Sequence, residues 1–253
     1  LSQNFNYNFL PRPHFIFNNS TISKDQKEIS KIEELKIYIS LNNLFSYKNF
    51  RVQNLILEKS NFFLDNNNYD FFINLLDGDF QENKLFIKNS NIFYKNKNDE
   101  VLFINKIINI EYFYDKKDLH NKLISKNEIF NLPYSIELNQ NNIEKKIFSK
   151  LNFAFLKLEI DNELDYRNEY KKGLANFKLN KNKFSAKYHI NENNFIFNLF
   201  DDLENSNFSY EGQVNFNPFY SKLEGLIKEI DISYLLNSNS IILQLIKTEI
   251  LNN

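Results

Sequence analysis

The sequence predicts a mainly β protein, and the first observation behind this is a two-residue alternation of apolar and polar side chains. Successive side chains on a β-strand point to opposite faces, so the alternation indicates strands with one apolar and one hydrated face. It is clearest in three segments, whose apolar phases are Leu35, Ile37, Ile39 and Leu41; Phe184, Ala186, Tyr188 and Ile190; and Phe208, Tyr210, Val214 and Phe216.

The second observation is that the connections between these segments are mostly short. Short connections favour antiparallel hairpins over strands joined by crossover helices. We therefore expect an elongated, curved antiparallel sheet that forms an open amphipathic groove. The predicted strands are 32–41, 50–58, 61–65, 84–88, 91–95, 100–114, 133–139, 150–161, 173–180, 183–190, 194–200, 206–216 and 219–230.

Three segments depart from this alternation. Residues 9–17 contain Pro11 and Pro13, which exclude a helix and predict an extended entry segment. Residues 240–251 carry apolar side chains at helical spacing and predict a short C-terminal helix. Residues 116–131 are ambiguous, and we expect one region, 1–253, whose candidate sub-boundary lies near 116–132.

Glycine is scarce, with four copies in 253 residues. Asn is the residue other than Gly that best tolerates positive φ, so we expect Asn pairs such as Asn141-Asn142 and Asn193-Asn194 to take the turn positions. A short repeat is also visible, because 173–177 (GLANF) resembles 212–216 (GQVNF).

Composition excludes several classes of protein. The net charge is −1, with 31 basic and 32 acidic residues, so the chain lacks the basic surface that nucleic-acid binding requires. There is no Cys, and therefore neither a disulfide nor a thiolate metal site. No apolar run reaches the roughly 18 residues of a membrane span. The chain has no Met and begins at Leu1, so we expect a fragment whose N-terminal anchor is missing.

No catalytic constellation is visible in the sequence. His14, His120 and His189 lack partners at metal-ligand spacing and are expected at the surface. The adjacent acids at 33–34 and 201–202 point to opposite faces of a strand, and no glycine-rich phosphate loop occurs. We therefore expect a protein that is not an enzyme and that uses neither a metal nor a cofactor.

The apolar phase of the strands leaves two interpretations open. It can form the packed core of a structural or adhesive β-repeat protein, or it can line an open groove that holds lipid. A carbohydrate-active β enzyme is a third possibility, if the fold brings two carboxylates together. The residues assigned to the groove are Leu35, Ile37, Ile39, Leu41, Phe184, Tyr188, Ile190, Phe208, Tyr210, Val214 and Phe216.

Several segments resemble the AsmA-like family of Gram-negative envelope proteins. The family's opening pattern is matched from Leu10-Pro11 to Ile22, and its strand, "L-S-L-x-x-L" element and second strand are matched at 35–45 and 50–57. Residues 129–134 resemble the family's turn into its next sheet. Residues 210–220 resemble AsmA-like proteins from α-proteobacteria with AT-rich genomes. The loop after Leu44 departs from the pattern, with Ser46-Tyr47-Lys48 where the family often has Gly.

The resemblance implies a periplasmic protein that is anchored to the inner membrane. Its β-groove would bind or conduct phospholipid between the inner and outer membranes during outer-membrane biogenesis. The family supplies no catalytic residues to carry over. The expected partners are therefore phospholipid or another envelope lipid and, through the missing anchor, the inner membrane.

Overall fold

The computed structural model describes residues 4–24, 27–40, 52–65, 68, 83–96, 98–191, 193–201, 208–216 and 219–227. These residues form β-strands joined by turns and bends and contain no helix, which confirms the mainly β fold class. The predicted helix at 240–251 lies outside the described residues.

The chain divides into two compact units, residues 1–130 and 131–253. The division falls at the turn formed by Phe130 and Asn131. The first unit contains β1 Asn4–Asn8, β2 His14–Lys24, β3 Lys27–Ile39, β4 Val52–Leu64, β5 Lys84–Lys95, β6 Val101–Asp115 and β7 His120–Ile129. The second contains β8 Leu132–Asn141, β9 Lys146–Phe153, β10 Leu158–Asp165, β11 Lys171–Leu179, β12 Asn182–Ile190, β13 Asn194–Asp201, β14 Phe208–Phe216 and β15 Phe219–Ile227.

Each unit contains an open sheet. Hydrogen-bonded neighbours are strands that follow one another in the chain, from β1 to β7 in the first unit and from β8 to β15 in the second. In the described part of each unit the first and last strands do not pair, so neither sheet closes into a barrel.

The prediction of a purely antiparallel sheet is wrong at one pair, because β4 and β5 run parallel. Leu55 lies opposite Leu85, and Leu57 lies opposite Ile87. Parallel neighbours need a crossover of a dozen or more residues, and the segment 65–83 between these strands has that length. The other pairs whose registers are described within the two units are antiparallel.

Two predicted breaks between strands are kinks inside single strands. The segments 50–58 and 61–65 form one strand, β4, and the segments 84–88 and 91–95 form another, β5. At each predicted break one residue has positive φ, 51° at Lys59 and 48° at Asn89, and strand pairing resumes after it. A similar kink, with φ 51°, occurs at Asn19 in β2.

Elsewhere, the predicted strand 150–161 is two strands, β9 and β10, separated by a turn at 154–157. That turn contains Phe155 and Leu156 and ends at Lys157, with φ 51°, so it carries no Gly, Pro or Asn to signal it. The ambiguous segment 116–131 contains β7. Within the predicted entry segment 9–17, residues 10–12 form a bend between β1 and β2, and residues 14–17 are the start of β2.

The first unit has a packed apolar cluster on one face of its sheet. Its centre is closed to solvent, since Ile32 is 2% exposed, Ile107 1% and Tyr112 2%. Leu57, Phe62 and Leu85 complete the buried set, and Leu35 and other half-buried side chains pack around it. The cluster spans β3 to β6, including the parallel pair.

Candidate functional site

The apolar face of the second unit is defined by one continuous set of positions. Residues directly opposite each other on paired strands share a face, so the registers place these residues together. One row across the strands is Leu164, Gly173, Tyr188, Phe197, Gly212 and Leu223, and the next is Asn162, Ala175, Ala186, Leu199, Tyr210 and Gly225. A third is Ile136, Leu151, Ile160, Phe177 and Phe184.

The structure brings most of the predicted groove residues of this unit to that face. Phe184, Tyr188 and Ile190 alternate along β12, and Ile190 lies opposite Phe195. Phe195 in turn lies opposite Val214. Tyr210 and Phe216 belong to the same phase of β14 as Val214. Phe208 is in β14, opposite Ile227.

This face is almost without charge. Among its described side chains the one charged group is that of Lys171, at the start of β11. The opposite face carries the ion pairs: Lys146 to Glu163 at 2.6 Å, Lys178 to Glu159 at 3.6 Å and Lys150 to Asp161 at 4.0 Å. Among the described side chains in the strands of this unit, the charged ones other than Lys171 are therefore confined to one face.

The apolar face of the second unit is open rather than packed. Its fully buried members are mostly small, Ala175 and Ala186 at 7% exposure each, together with Leu132 at 4%. Larger side chains in its middle, such as Leu151, Phe177 and Leu199, are half-buried. Toward the last strand, Leu223 is 64% exposed and Phe219 78%. Such an extended apolar surface is typical of an interaction or ligand-binding site.

Three glycines of this face lie beneath aromatic rings of neighbouring strands. A Cβ atom on Gly173 would lie 2.0 Å from Cζ of Tyr188, and one on Gly212 would lie 2.2 Å from Cζ of Phe197. A Cβ atom on Gly225 would lie 2.4 Å from Cδ1 of Tyr210. Each ring therefore occupies the space that a side chain would otherwise fill.

A hydrogen bond fixes the hydroxyl end of the Tyr188 ring. Its hydroxyl donates a hydrogen bond of 2.7 Å to Oδ1 of Asn162, two strands away on β10. Burial raises the pKa of Tyr188, and the hydrogen bond to Asn162 opposes that change. The phenol is therefore neutral at physiological pH and adds no charge to the face.

In the first unit the predicted groove residues lie on the apolar face that contains the packed cluster. Leu35 lies opposite Leu57 and Ile37 opposite Leu55, and Ile39 is 4% exposed. Leu41 lies outside the described residues. This face is open at β1, where Phe5 is 61% exposed and Tyr7 46%.

Sequence reasoning missed several members of these faces. Phe195, Phe197 and Leu199 alternate within the predicted strand 194–200 and were identifiable from that phase. Phe15 and Phe17 lie opposite Ile37 and Leu35, in a segment interpreted as an entry segment because of its prolines. No pattern in the sequence indicates that aromatic rings lie over the three glycines, because this depends on which residues of neighbouring strands lie opposite each other.

The described residues show no assembly for metal chemistry, since no three His, Asp or Glu side chains converge on a common point. His14 corrects one expectation, because it is 4% exposed rather than at the surface. Its ring stacks on Tyr38 with centroids 4.7 Å apart, and its Nδ1 lies 2.7 Å from the carbonyl oxygen of Arg12. The acidic pair at 33–34 is divided between Lys59, 3.2 Å from Glu33, and Lys36, 2.6 Å from Glu34.

No protein-family model matches the chain, and no curated protein matches its sequence. In the part of the chain that the structure describes, no helix has the length and apolar character needed to cross a membrane.

Proposed function

We propose that this chain binds the acyl chains of phospholipid along the apolar face of its second unit. The observation that carries the proposal is the separation of surfaces, with an open apolar face on one side of the sheet and ion-paired Lys, Asp and Glu on the other. A hydrocarbon chain has no charge to pair and no hydrogen bond to satisfy, so it matches such a surface.

The size of the face suits this ligand. Eight strands spaced about 4.8 Å apart extend for roughly 34 Å across the second sheet. Each methylene group removed from water contributes about 0.8 kcal/mol, so burial alone supplies the affinity for a long acyl chain.

The resemblance to AsmA-like proteins gives the proposal its cellular setting. We infer a non-enzymatic, periplasmic protein that is anchored to the inner membrane in its full-length form. It would bind or conduct phospholipid between the inner and outer membranes and so serve outer-membrane biogenesis.

Photocrosslinking at two neighbouring positions tests the proposal. A benzophenone amino acid replaces Phe197 in one variant of the full-length protein and Asn198 in the other, and each is irradiated with vesicles of clickable phosphatidylethanolamine. The two side chains point to opposite faces of β13. We expect lipid adducts at position 197 and few at position 198. Equal labelling, or none at position 197, contradicts the proposal and favours a structural β protein.

A further inference from the structure

The orientation of three aromatic rings is set by three glycines, and it shapes the surface that a ligand meets. Tyr188 lies over Gly173 on β11, Phe197 over Gly212 on β14, and Tyr210 over Gly225 on β15. In each pair the ring extends sideways over the neighbouring strand. An aromatic ring at a position opposite a larger residue would instead stand away from the sheet.

Two of these rings lean in opposite directions. Tyr188 and Phe197 lie directly opposite each other on β12 and β13. Tyr188 nevertheless extends toward β10, where its hydroxyl bonds Asn162, while Phe197 extends toward β14. The rings therefore extend along the sheet, one over β11 and the other over β14.

Small and aromatic side chains occupy the two rows on one side of this row. One neighbour contains the small side chains of Ala175 and Ala186. The row beyond it contains Phe177 and Phe184, whose rings stack with centroids 4.9 Å apart and an interplanar angle of 8°. The result is a band of aliphatic carbon and aromatic carbon that runs across the strands.

We propose that Gly173, Gly212 and Gly225 determine the class of ligand on this face, by keeping the surface low enough for an extended, unbranched hydrocarbon chain to cross several strands. The inference rests on the proposed lipid-binding function and goes beyond it by naming the residues that select a long straight chain. A side chain at any of the three positions would raise the ring above it and interrupt the band.

The dependence of affinity on chain length tests this role. Saturated fatty acids of increasing length displace a fluorescent fatty acid from the full chain and from the variants Gly212→Ala, Gly212→Ala with Phe197→Leu, and Gln213→Ala. For the unaltered chain we expect about a fourfold gain in affinity for each added methylene group. In Gly212→Ala, the affinity should stop increasing at a shorter fatty acid than it does in the unaltered chain.

The double variant and Gln213→Ala separate ligand selection from folding. Replacing Phe197 by the smaller Leu removes the clash with the new methyl group, so long-chain affinity should return. Gln213 lies on the opposite face, and its variant should behave as the unaltered chain. Thermal unfolding of each variant is measured alongside.

The outcomes are distinguishable. If Gly212→Ala keeps the whole chain-length gain, or loses affinity equally for short and long chains, the glycines have no selective role, although lipid binding stands. If the unaltered chain binds no fatty acid of any length, both this inference and the proposed function are overturned.

Discussion

Serine residues follow each of the three kinks of the first unit, and their hydroxyl groups have different environments. Ser20, Ser60 and Ser90 come directly after Asn19, Lys59 and Asn89 and are 8%, 0% and 0% exposed. Among the residues that the structure describes, the hydroxyls of Ser20 and Ser60 have no hydrogen-bond partner. That of Ser90 accepts from the backbone N–H of Ser60 at 2.9 Å and donates to the carbonyl of Lys88 at 2.8 Å.

These environments predict opposite effects for the same substitution. Ser60→Ala removes a buried hydroxyl without a partner, so it should raise the free energy of unfolding by roughly 1 kcal/mol. Ser90→Ala removes two hydrogen bonds and should lower it by roughly 1–3 kcal/mol. Urea denaturation of both variants measures the difference. Equal effects would contradict the hydrogen-bond assignment.

The hydrogen bonds of Asp115 predict that the stability of the fold depends on pH. The hydrogen bond from Lys122, at 2.8 Å, and a second from the backbone N–H of Lys117 lower the pKa of Asp115 from 3.8 to about 2. A carboxyl group whose pKa is lower in the folded state stabilises the fold above its unfolded pKa. That contribution is lost as the pH falls from about 4 through about 2.

Asp115→Asn should therefore unfold more easily than the unaltered chain at pH 6, and the difference should become small as the pH approaches 2. Chemical denaturation at a series of pH values measures it. Lys122→Gln removes the same hydrogen bond and should reproduce much of the change. A difference that persists unchanged at pH 2 would show that Asp115 acts by some means other than its charge.

At the scale of the strands, a kink changes whether odd-numbered or even-numbered residues point to the apolar face, so the apolar residues on both sides of the kink share one face. On β4 the residues that join the packed cluster are odd-numbered before the kink, at Leu55 and Leu57, and even-numbered after it, at Phe62. Leu57 and Phe62 nevertheless belong to the same buried cluster. The positive φ of Lys59 produces this change from odd to even positions.

The kink predicts the effect of glycine at Lys59. A non-glycine residue in the left-handed region costs roughly 1–2 kcal/mol, so Lys59→Gly should stabilise the fold by about 1 kcal/mol. Lys31→Gly, in the regular part of β3, serves as the control and should destabilise it by roughly 0.5–1 kcal/mol. Both are measured by urea denaturation. Destabilisation by both variants would contradict the role assigned to the kink.

Asn acts at turns in two ways, of which the sequence predicts one. Asn180 has φ 56° in the turn between β11 and β12, as expected for a glycine substitute. Asn141 instead accepts hydrogen bonds through Oδ1 from the backbone N–H groups of Ile143 and Glu144, at 3.0 Å each. Asn191 accepts in the same way from Asn193 and Asn194. Lys145 and Lys157 also adopt positive φ, which composition does not indicate.

At the scale of the whole molecule, lipid that co-purifies with the protein tests the proposed function. Native mass spectrometry of the full-length protein should show bound phospholipid. Leu223→Asp should reduce the bound fraction several-fold, because it places a charge on the apolar face of the second unit, and Leu223 is 64% exposed and so tolerates the change in the fold.

Tyr220→Asp is the matched control for this measurement. Tyr220 is on the same strand, is 50% exposed and lies on the opposite face. Its variant should keep the lipid of the unaltered protein. Equal loss in both variants would indicate a general effect on the fold, and absence of lipid from the unaltered protein would overturn the proposal.

The alternation of apolar and polar residues by itself determined the β class, most strands and which residues share a face within a strand. Phe184, Tyr188 and Ile190 needed no other information, because side-chain direction on a strand is a local property.

Only the tertiary structure decided how the strands pair. The parallel register of β4 and β5 and the rings over Gly173, Gly212 and Gly225 depend on which strands become neighbours. The same pairing buries Ile32 and Tyr112 in the first unit and leaves Leu223 exposed in the second. The alternation is alike in both units, since it records which face is apolar, whereas burial depends on what that face packs against.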